Sequence, residues 1–572
     1  LTSNGKLDHK ALPDPEVQNQ DSYIAPRTEL EKQLCDIWAQ VLKLEKISIT
    51  DNFFRIGGDS IISIQVMSRA RQKGIYFSVK DIFSYPSVAE LAVNVKIEER
   101  KSKIDQTPIK GEIMLTPIQH WFFAKNLANH NHFNQSILLQ PKKKLQPNLI
   151  KQSFMLLRYH HDILRCCYNN HHNQWQQICL QEEIDVVEYL DLSAEDNTDA
   201  TIKIENYSNQ IQASLNINKG IIIKALLFDL AKSQRLLIVA HHLVIDSVSW
   251  RILLEDLEGF YSQLEQKSEV QFPNKTYSYK QWSQTLVDYA HSAILAKEIT
   301  YWQELERKIK PLETDFNLGT YLETNSYNVE ISLSKDKTIG LLQKVHKAYR
   351  TEINDILLTA LVLGFGDWAG NYTLSIALEG HGREEIVEEI DLSRTIGWFT
   401  AIFPVVLIVD NPNDLEGSIK TIKENIRTIP NKGIGYGIIK YSKPKVFTES
   451  KSPQIIFNYL GRWDNVASLN KLFSFAPEPS GRNVAQENIL DYVISINAEV
   501  KNDIMYFFWT ASSNHYYPET INKIVHHFIQ RLNQLIEHCC QDNVYGYTPS
   551  DFNLVTLKQD QLEKILSEIK KK

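Results

Sequence analysis

The stretch HHLVIDSVSW, residues 241–250, joins two segments of different period. Leading into it, LLIVAHHLV reads as a buried strand; leaving it, SWRILLEDLEGFYSQLEQ reads as an amphipathic helix. Two histidines and an aspartate therefore stand at a strand-to-helix junction. That admits two readings. Polar residues at a strand end commonly satisfy local hydrogen bonds and do nothing more. Alternatively, a carboxylate can hold the loop or fix a tautomer, leaving one imidazole nitrogen free as a base.

The same alternation extends in both directions. FNQSILLQ and GIIIKALLFDL read as strands and NLIKQSFMLLRYH as a helix. Further on, INDILLTALVLGFGDWA reads as a helix, with YTLSIALEG, FPVVLIVD, QIIFNYLG and IMYFFWTASS as strands. A long helix follows through ETINKIVHHFIQRLNQLIEHC, and LEKILSEIKKK is a short basic-ended helix candidate. More than 400 residues of this kind suggest two similar α/β lobes. No short-period repeat is present.

Upstream the character changes. TELEKQLCDIWAQVLKL places Leu30, Leu34, Ile37, Trp38, Val41 and Leu42 on one helical face, with Thr28 as its N-cap. DSIISIQVMSRARQKG reads as a second helix closed by Gly74, and VKDIFSYPS and SVAELAVNVKIEER complete a small bundle. KIEERKSKIDQTPIKGE is a charged linker without apolar period.

Composition sets the outer limits. The 572 residues are enough for about three to four domains. At 43% hydrophobic and 23% charged, the chain can bury large cores. A net charge of -7 argues against a nucleic-acid or polybasic membrane surface. The longest apolar runs, such as FTAIFPVVLIV (399–409), are too short to span a bilayer. Six cysteines include the adjacent pairs Cys166–Cys167 and Cys539–Cys540 but no CxxC. Reduced thiols, no zinc site and a cytoplasmic location are expected. No secretory signal is visible, and a chain starting at Leu1 reads as an excised fragment.

In the bundle, DNFFRIGGDSIISIQV sets Ser60 after a Gly-Gly-Asp turn at a helix start. Ser60 or Asp59 could simply cap free amides. The whole bundle, however, resembles the peptidyl carrier domains of nonribosomal peptide synthetases. On that resemblance Ser60 carries 4'-phosphopantetheine, and GGDS rather than GGHS resembles carriers that precede epimerization domains. The leading LTSNGKLDHKAL resembles the end of an adenylating domain, with Lys6 at its acyl-adenylate lysine; lacking the rest of that domain, Lys6 is assigned no activity.

HHLVIDSVSW resembles the HHxxxDG motif of the condensation and epimerization superfamily, which has a chloramphenicol-acetyltransferase-like double lobe. The resemblance implies that His242 is catalytic and that His241 and Asp246 shape the loop. Arg165 of HHDILR is the expected partner of Asp246. Ser247 replaces the family glycine; if that position needs a positive φ, the change costs roughly 1 kcal/mol. LTPIQHWFF (115–123), EGHGRE (379–384), RTIGWFT (394–400), PNKGIGYG (430–437) and FNYLG (457–461) resemble epimerization-domain motifs in the expected order.

On this resemblance Glu379 is the second acid/base group, and Asn458 and Tyr459 lie near the catalytic centre. Inverting an α-carbon requires proton removal from one face and return to the other, which suits a His242–Glu379 pair. No metal is implied, and pantetheine on Ser60 is the only prosthetic group. The expected organisation is an adenylation-domain remnant (1–13), linker (14–25), carrier (26–98), linker (99–110), epimerization N-lobe (111–290), C-lobe (291–550) and tail (551–572). The expected partners are an upstream adenylation domain, a downstream condensation domain and a phosphopantetheinyl transferase, with no nucleic acid and no membrane. Two rival readings remain: an amide-forming condensation domain that has no use for Glu379, and a degenerate double lobe that only recruits partners.

Overall fold

The computed structural model describes residues 23–552 apart from 59, 96–103, 173, 183, 317, 320, 388–389, 448–450 and 463–471, together with 559, 561, 562 and 564. Lys6, Asp59 and most of the tail helix candidate therefore lie outside the described residues. The chain divides into two compact units, residues 1–100 and 101–572. Among the described residues no helix is long and apolar enough to cross a membrane.

Among its described residues the first unit holds four helices: α1 (Glu29–Leu42), α2 (Ser60–Gln72), α3 (Val79–Ser84) and α4 (Val88–Asn94). Thr28 caps α1 as expected. Its hydroxyl accepts from the Glu31 N–H at 3.1 Å, and the Glu31 carboxylate accepts from the Thr28 N–H. Ser78 with Asp81 and Ser87 with Glu90 repeat this reciprocal cap at α3 and α4. The core centres on Trp38 and Phe53, both fully buried, their rings edge-to-face at 4.9 Å.

Both glycines before Ser60 have a physical cause. Gly57 sits at φ 104°, and a Cβ on Gly58 would lie 2.4 Å from the Phe53 ring. The turn thus lies against the core and makes Ser60 the first residue of α2.

The described residues of the second unit form three sheets. A small antiparallel sheet, in the order β1-β4-β3, contains β1 (Gly111–Ile113), β3 (Cys166–His171) and β4 (Gln174–Cys179). A five-stranded sheet runs β12-β2-β7-β6-β5 and a six-stranded sheet runs β10-β9-β11-β13-β14-β8. The five-stranded sheet uses β2 (Asn134–Pro141), β5 (Val187–Leu192), β6 (Ile223–Leu230), β7 (Gln234–His241) and β12 (Phe473–Phe475). The six-stranded sheet uses β8 (Ser326–Ser332), β9 (Thr373–Gly380), β10 (Ala401–Ile408), β11 (Ile455–Arg462), β13 (Ile494–Lys501) and β14 (Ile504–Ser512). Helices α5 (Pro117–Phe123), α6 (Pro147–His160), α7 (Asn197–Ala213) and α8 (Ser247–Glu265) belong to the first half.

Each sheet anchors one lobe. Every residue of β7 is buried, which explains its near-continuous apolar run. Behind the six-stranded sheet, helix Pro518–Cys539 packs on helix Ile353–Ala369 so closely that a Cβ on Gly364 would lie 2.7 Å from Phe528 backbone.

The lobes also exchange chain. Residues 473–488 leave the second half and lie along the first lobe: β12 pairs antiparallel with the edge of β2, and the Asn134 N–H donates to the Asn483 carbonyl at 2.7 Å. Arg235 grips Glu478 with two 2.8 Å bonds, and Asn488 donates to the Asn129 carbonyl. This crossing strap gives the seam between the lobes a fixed geometry.

Candidate active site

The spacing of HHLVID follows from three local requirements. β7 ends at His241, one turn of 3-10 helix spans His242–Val244, and Asp246 caps α8 by accepting from the Ser249 N–H at 2.7 Å. His241 is fully buried; its Nε2 lies 2.7 Å from the His130 carbonyl and its Nδ1 accepts from the Leu243 N–H. Burial pushes its pKa down to about 3, so it is neutral. Ser247 is the first helical residue of α8 and is absent from the positive-φ residues, so serine for glycine costs no backbone strain.

The expected Asp246–Arg165 pair does not form. Arg165 turns into its own lobe, binding the Arg158, Tyr159 and Leu180 carbonyls and the Asp162 carboxylate. It stands at the end of a 3-10 turn (Asp162–Arg165) beside α6, whose C-terminal carbonyls collect a guanidinium. The true partner is Arg383 of EGHGRE, whose Nη2 lies 3.1 and 3.3 Å from the two Asp246 oxygens. The same nitrogen donates to Ser249 Oγ, and the Phe399 N–H donates to Asp246. This buried cluster ties the His242 loop to β9 and to the RTIGWFT turn.

His242 lies on that loop with its ring 4.2 Å from the Trp398 ring and 5.8 Å from Phe133. Nδ1 is 2.9 Å from the Ile245 carbonyl, and Nε2 is 2.9 Å from Gln135 Nε2. Desolvation lowers its pKa below the usual imidazole value, opposed in part by Asp246 and Asp491.

Glu379 comes from the other lobe. Strand pairing puts it opposite Ile402, on the same face of β9 as Ala377. In the parallel β9–β11 pair, Ile456 sits beside Ala377, so Asn458 falls beside Glu379, and its Nδ2 donates to Oε2 at 2.9 Å. The carboxyl is partly accessible, yet desolvation, aided by Asp491 and opposed by Lys125, pushes its pKa up to about 7. Tyr459 follows Asn458; strand alternation directs it to the opposite face of β11.

The two groups share an aromatic wall. A cleft is lined by Trp121, Ala377, Trp398, Ile402, Tyr436 and Tyr492, among others. Trp398 contacts His242, Trp121 meets Trp398 at 5.9 Å, and Trp121 packs on the cluster of Ala377, Ile456 and Tyr492. Neither His242 nor Glu379 lines the cleft directly: His242 packs against Trp398 of its wall, and Glu379 lies two residues along β9 from Ala377, on the same face of the strand.

Two charged residues escaped the sequence reading. Lys125 Nζ sits 3.2 Å from the Trp121 ring centroid and pairs with Asp491, and desolvation lowers its pKa to about 8. Lys125 directly follows the motif LTPIQHWFF and Ala124, but an isolated lysine carries no periodic or motif signal. Lys125→Met removes a cation and leaves Asp491 unpaired; both effects raise the Glu379 pKa. The Glu379 titration, followed by carboxyl-carbon NMR, is expected to move up by about one unit. An unmoved titration would show that Lys125 does not act on Glu379.

A two-lobed α/β body with a His-His-x-x-x-Asp turn at its seam, together with a four-helix carrier, defines the chloramphenicol-acetyltransferase-like, carrier-dependent class of enzymes. Residues 109–553 match the Condensation domain family and residues 32–93 match the Phosphopantetheine attachment site, so the chain belongs to the condensation-domain family of nonribosomal peptide synthetases, with a carrier domain that bears covalent 4'-phosphopantetheine.

Tyrocidine synthase 2 of Brevibacillus parabrevis is 38% identical over 99% of the chain and 16% of its own length. Gramicidin S synthase 1 of Brevibacillus brevis is 38% identical over 99% of the chain and 53% of its own length. The chain thus spans at most about half the length of these curated relatives. Among solved structures, the epimerization domain from the third module of tyrocidine synthetase B is 36% identical, with a TM-score of 0.71, covering 76% of this chain and all of that one. A condensation domain from the Monacolin K polyketide synthase shares the fold at a TM-score of 0.62 and 12% identity.

Proposed function

We propose that this chain inverts the α-carbon of an aminoacyl or peptidyl thioester carried on Ser60, in nonribosomal peptide synthesis. The observation that carries this reading is Glu379, held by Asn458 on the cleft face of β9 with a pKa near 7, across the aromatic wall from His242. Amide formation has no use for a second proton carrier there. The 36% identity to a solved epimerization domain over its whole length supports the same choice.

The carrier fits the arm. Gly57 and Gly58 allow the turn that puts residue 60 at the start of a 13-residue helix, where the positive end of the helix dipole favours a phosphate. When bound, pantetheine supplies the thioester linkage that acidifies the substrate's α-proton. The chain's own residues do the rest. His242 takes or gives a proton at Nε2, Glu379 does so at its carboxyl, and Asn458 orients that carboxyl. The apolar cleft wall keeps water from competing. An upstream adenylation domain would select the amino acid, a phosphopantetheinyl transferase would prime Ser60, and a downstream condensation domain would draw off the D form. Without that withdrawal the product is a near-even mixture, because the two forms differ little in energy.

The test loads the whole chain with several aminoacyl-pantetheine groups in deuterated water and measures chirality and α-deuterium. Mixed L and D product with deuterium is expected; Ser60→Ala is the unloaded control. Retained L configuration without exchange for every substrate would defeat the reading.

The pH dependence follows from the two shifts. For the enantiomer whose α-proton His242 removes, the competent resting state has neutral His242 and protonated Glu379. As pH rises through about 7, Glu379 loses its proton and the rate falls. As pH drops through the lowered His242 value, the imidazole becomes charged and the rate falls again. A bell-shaped exchange rate with its basic limb near pH 7 is expected; a rate that keeps rising above pH 8 would exclude Glu379 as the proton donor.

A further inference from the structure

Gln135 lies in the middle of FNQS on β2, one strand away from His242. Its carboxamide bridges two groups: Oε1 is 2.8 Å from Trp250 Nε1, and Nε2 is 2.9 Å from His242 Nε2. An indole nitrogen only donates, so the amide oxygen must face Trp250 and the amide NH2 must face the histidine. The contacted His242 nitrogen must then be the acceptor and carry no proton. The remaining proton sits on Nδ1, where the Ile245 carbonyl receives it at 2.9 Å. One protonation pattern satisfies all four groups.

We propose that Gln135, oriented by Trp250, is a positioning residue that locks His242 in its neutral Nδ1–H tautomer and disfavours the imidazolium until substrate displaces the amide. Protonating Nε2 would set an N–H against the Gln135 NH2. Turning the amide over would set that NH2 against the indole N–H. Either arrangement loses a hydrogen bond, so the charged form is resisted without any nearby cation. The charged groups acting on His242 are Asp246 at the start of α8 and Asp491, three residues beyond the strap, and both favour imidazolium. Lys125 lies beyond Phe133, 5.6 Å from that ring's centroid, and His241 beside it is neutral. Gln135 is thus the uncharged counterweight to two carboxylates. The arrangement also means that the base's lone pair is covered at rest. Access to it requires the Gln135 amide to move, so the base is uncovered only when that amide is displaced.

The inference deepens the acid/base reading of His242 and rests on it for the kinetic outcome alone. The primary test is nitrogen NMR of the whole chain labelled at histidine, with the His242 signal identified by its loss in His242→Ala. The wild type is expected to show the Nδ1–H tautomer. Gln135→Glu offers a carboxylate that accepts from both Trp250 and a protonated Nε2, and is expected to raise the His242 pKa by about one to two units. The acidic limb of the exchange profile should move by the same amount, with KM little changed.

Trp250→Phe is the second variant; freeing the amide to turn should populate the other tautomer without adding charge. A wild-type Nε2–H tautomer, or a His242 pKa unchanged in both variants, overturns the proposal. Absence of α-exchange in the wild type, with the NMR shifts as expected, would instead remove the epimerization reading and leave the lock standing.

Discussion

Glu379→Gln is expected to lower epimerization by about 10²–10⁴-fold while leaving the chain folded. The amide keeps an oxygen for Asn458 to donate to and is nearly isosteric, so the loss falls on the proton. His242→Ala is expected to cost a similar factor. With two bases on opposite faces, each variant retains one of them. Glu379→Gln should therefore still exchange the α-proton of one enantiomer with deuterium, with retention of configuration, and His242→Ala should do so for the other enantiomer. Offering pure L- and pure D-aminoacyl carriers to both variants reads this directly. Exchange of the same enantiomer by both variants would mean that a single base serves both faces.

The second large effect concerns stability. Asp246→Asn strips the buried Arg383 of its counter-charge, and such an unpaired ion costs about 3–5 kcal/mol. The Asp246 carboxylate also receives the Ser249 and Phe399 N–H groups, so the His242 loop and the floor of the cleft should loosen together. A cycle combining Asp246→Asn with Arg383→Leu should recover a large share of the loss, measured as a shift in thermal midpoint. The same cycle with Arg165→Leu should show additive losses, because Arg165 binds carbonyls of its own lobe. Strong coupling of Asp246 to Arg165 would contradict the geometry.

Much of the architecture could be read from residue order, because it rests on short-range physics. The period change at HHLVIDSVSW is a strand becoming a helix, and the Thr28 cap and both glycines before Ser60 act within a few residues. Glu379 and Asn458 were legible through family motifs, and β9 and β11 set them side by side. Tyr459 came with the same motif; regular alternation sets it on the face of β11 opposite Asn458, and the strand's pairing shifts register just beyond it. Partner choice was not legible: Asp246 could have met any arginine that the fold brought near, and 137 residues separate it from Arg383. The β12 crossing was equally hidden, since three residues carry no usable period. Strand β13, by contrast, alternates plainly in ISINAEV and was readable but unread.

The strap has a bearing on how the chain is made. β2 acquires its outer neighbour β12 from a segment about 330 residues later. At ordinary rates of synthesis the edge of β2 waits roughly 15–60 s for that strand to emerge from the ribosome. During that interval the first lobe presents an apolar, unpaired edge, a template for pairing with other chains. Maturation of the nascent N-terminal lobe is therefore tied to near-complete translation of the C-terminal one, and whatever shields that edge meanwhile governs the yield of active protein.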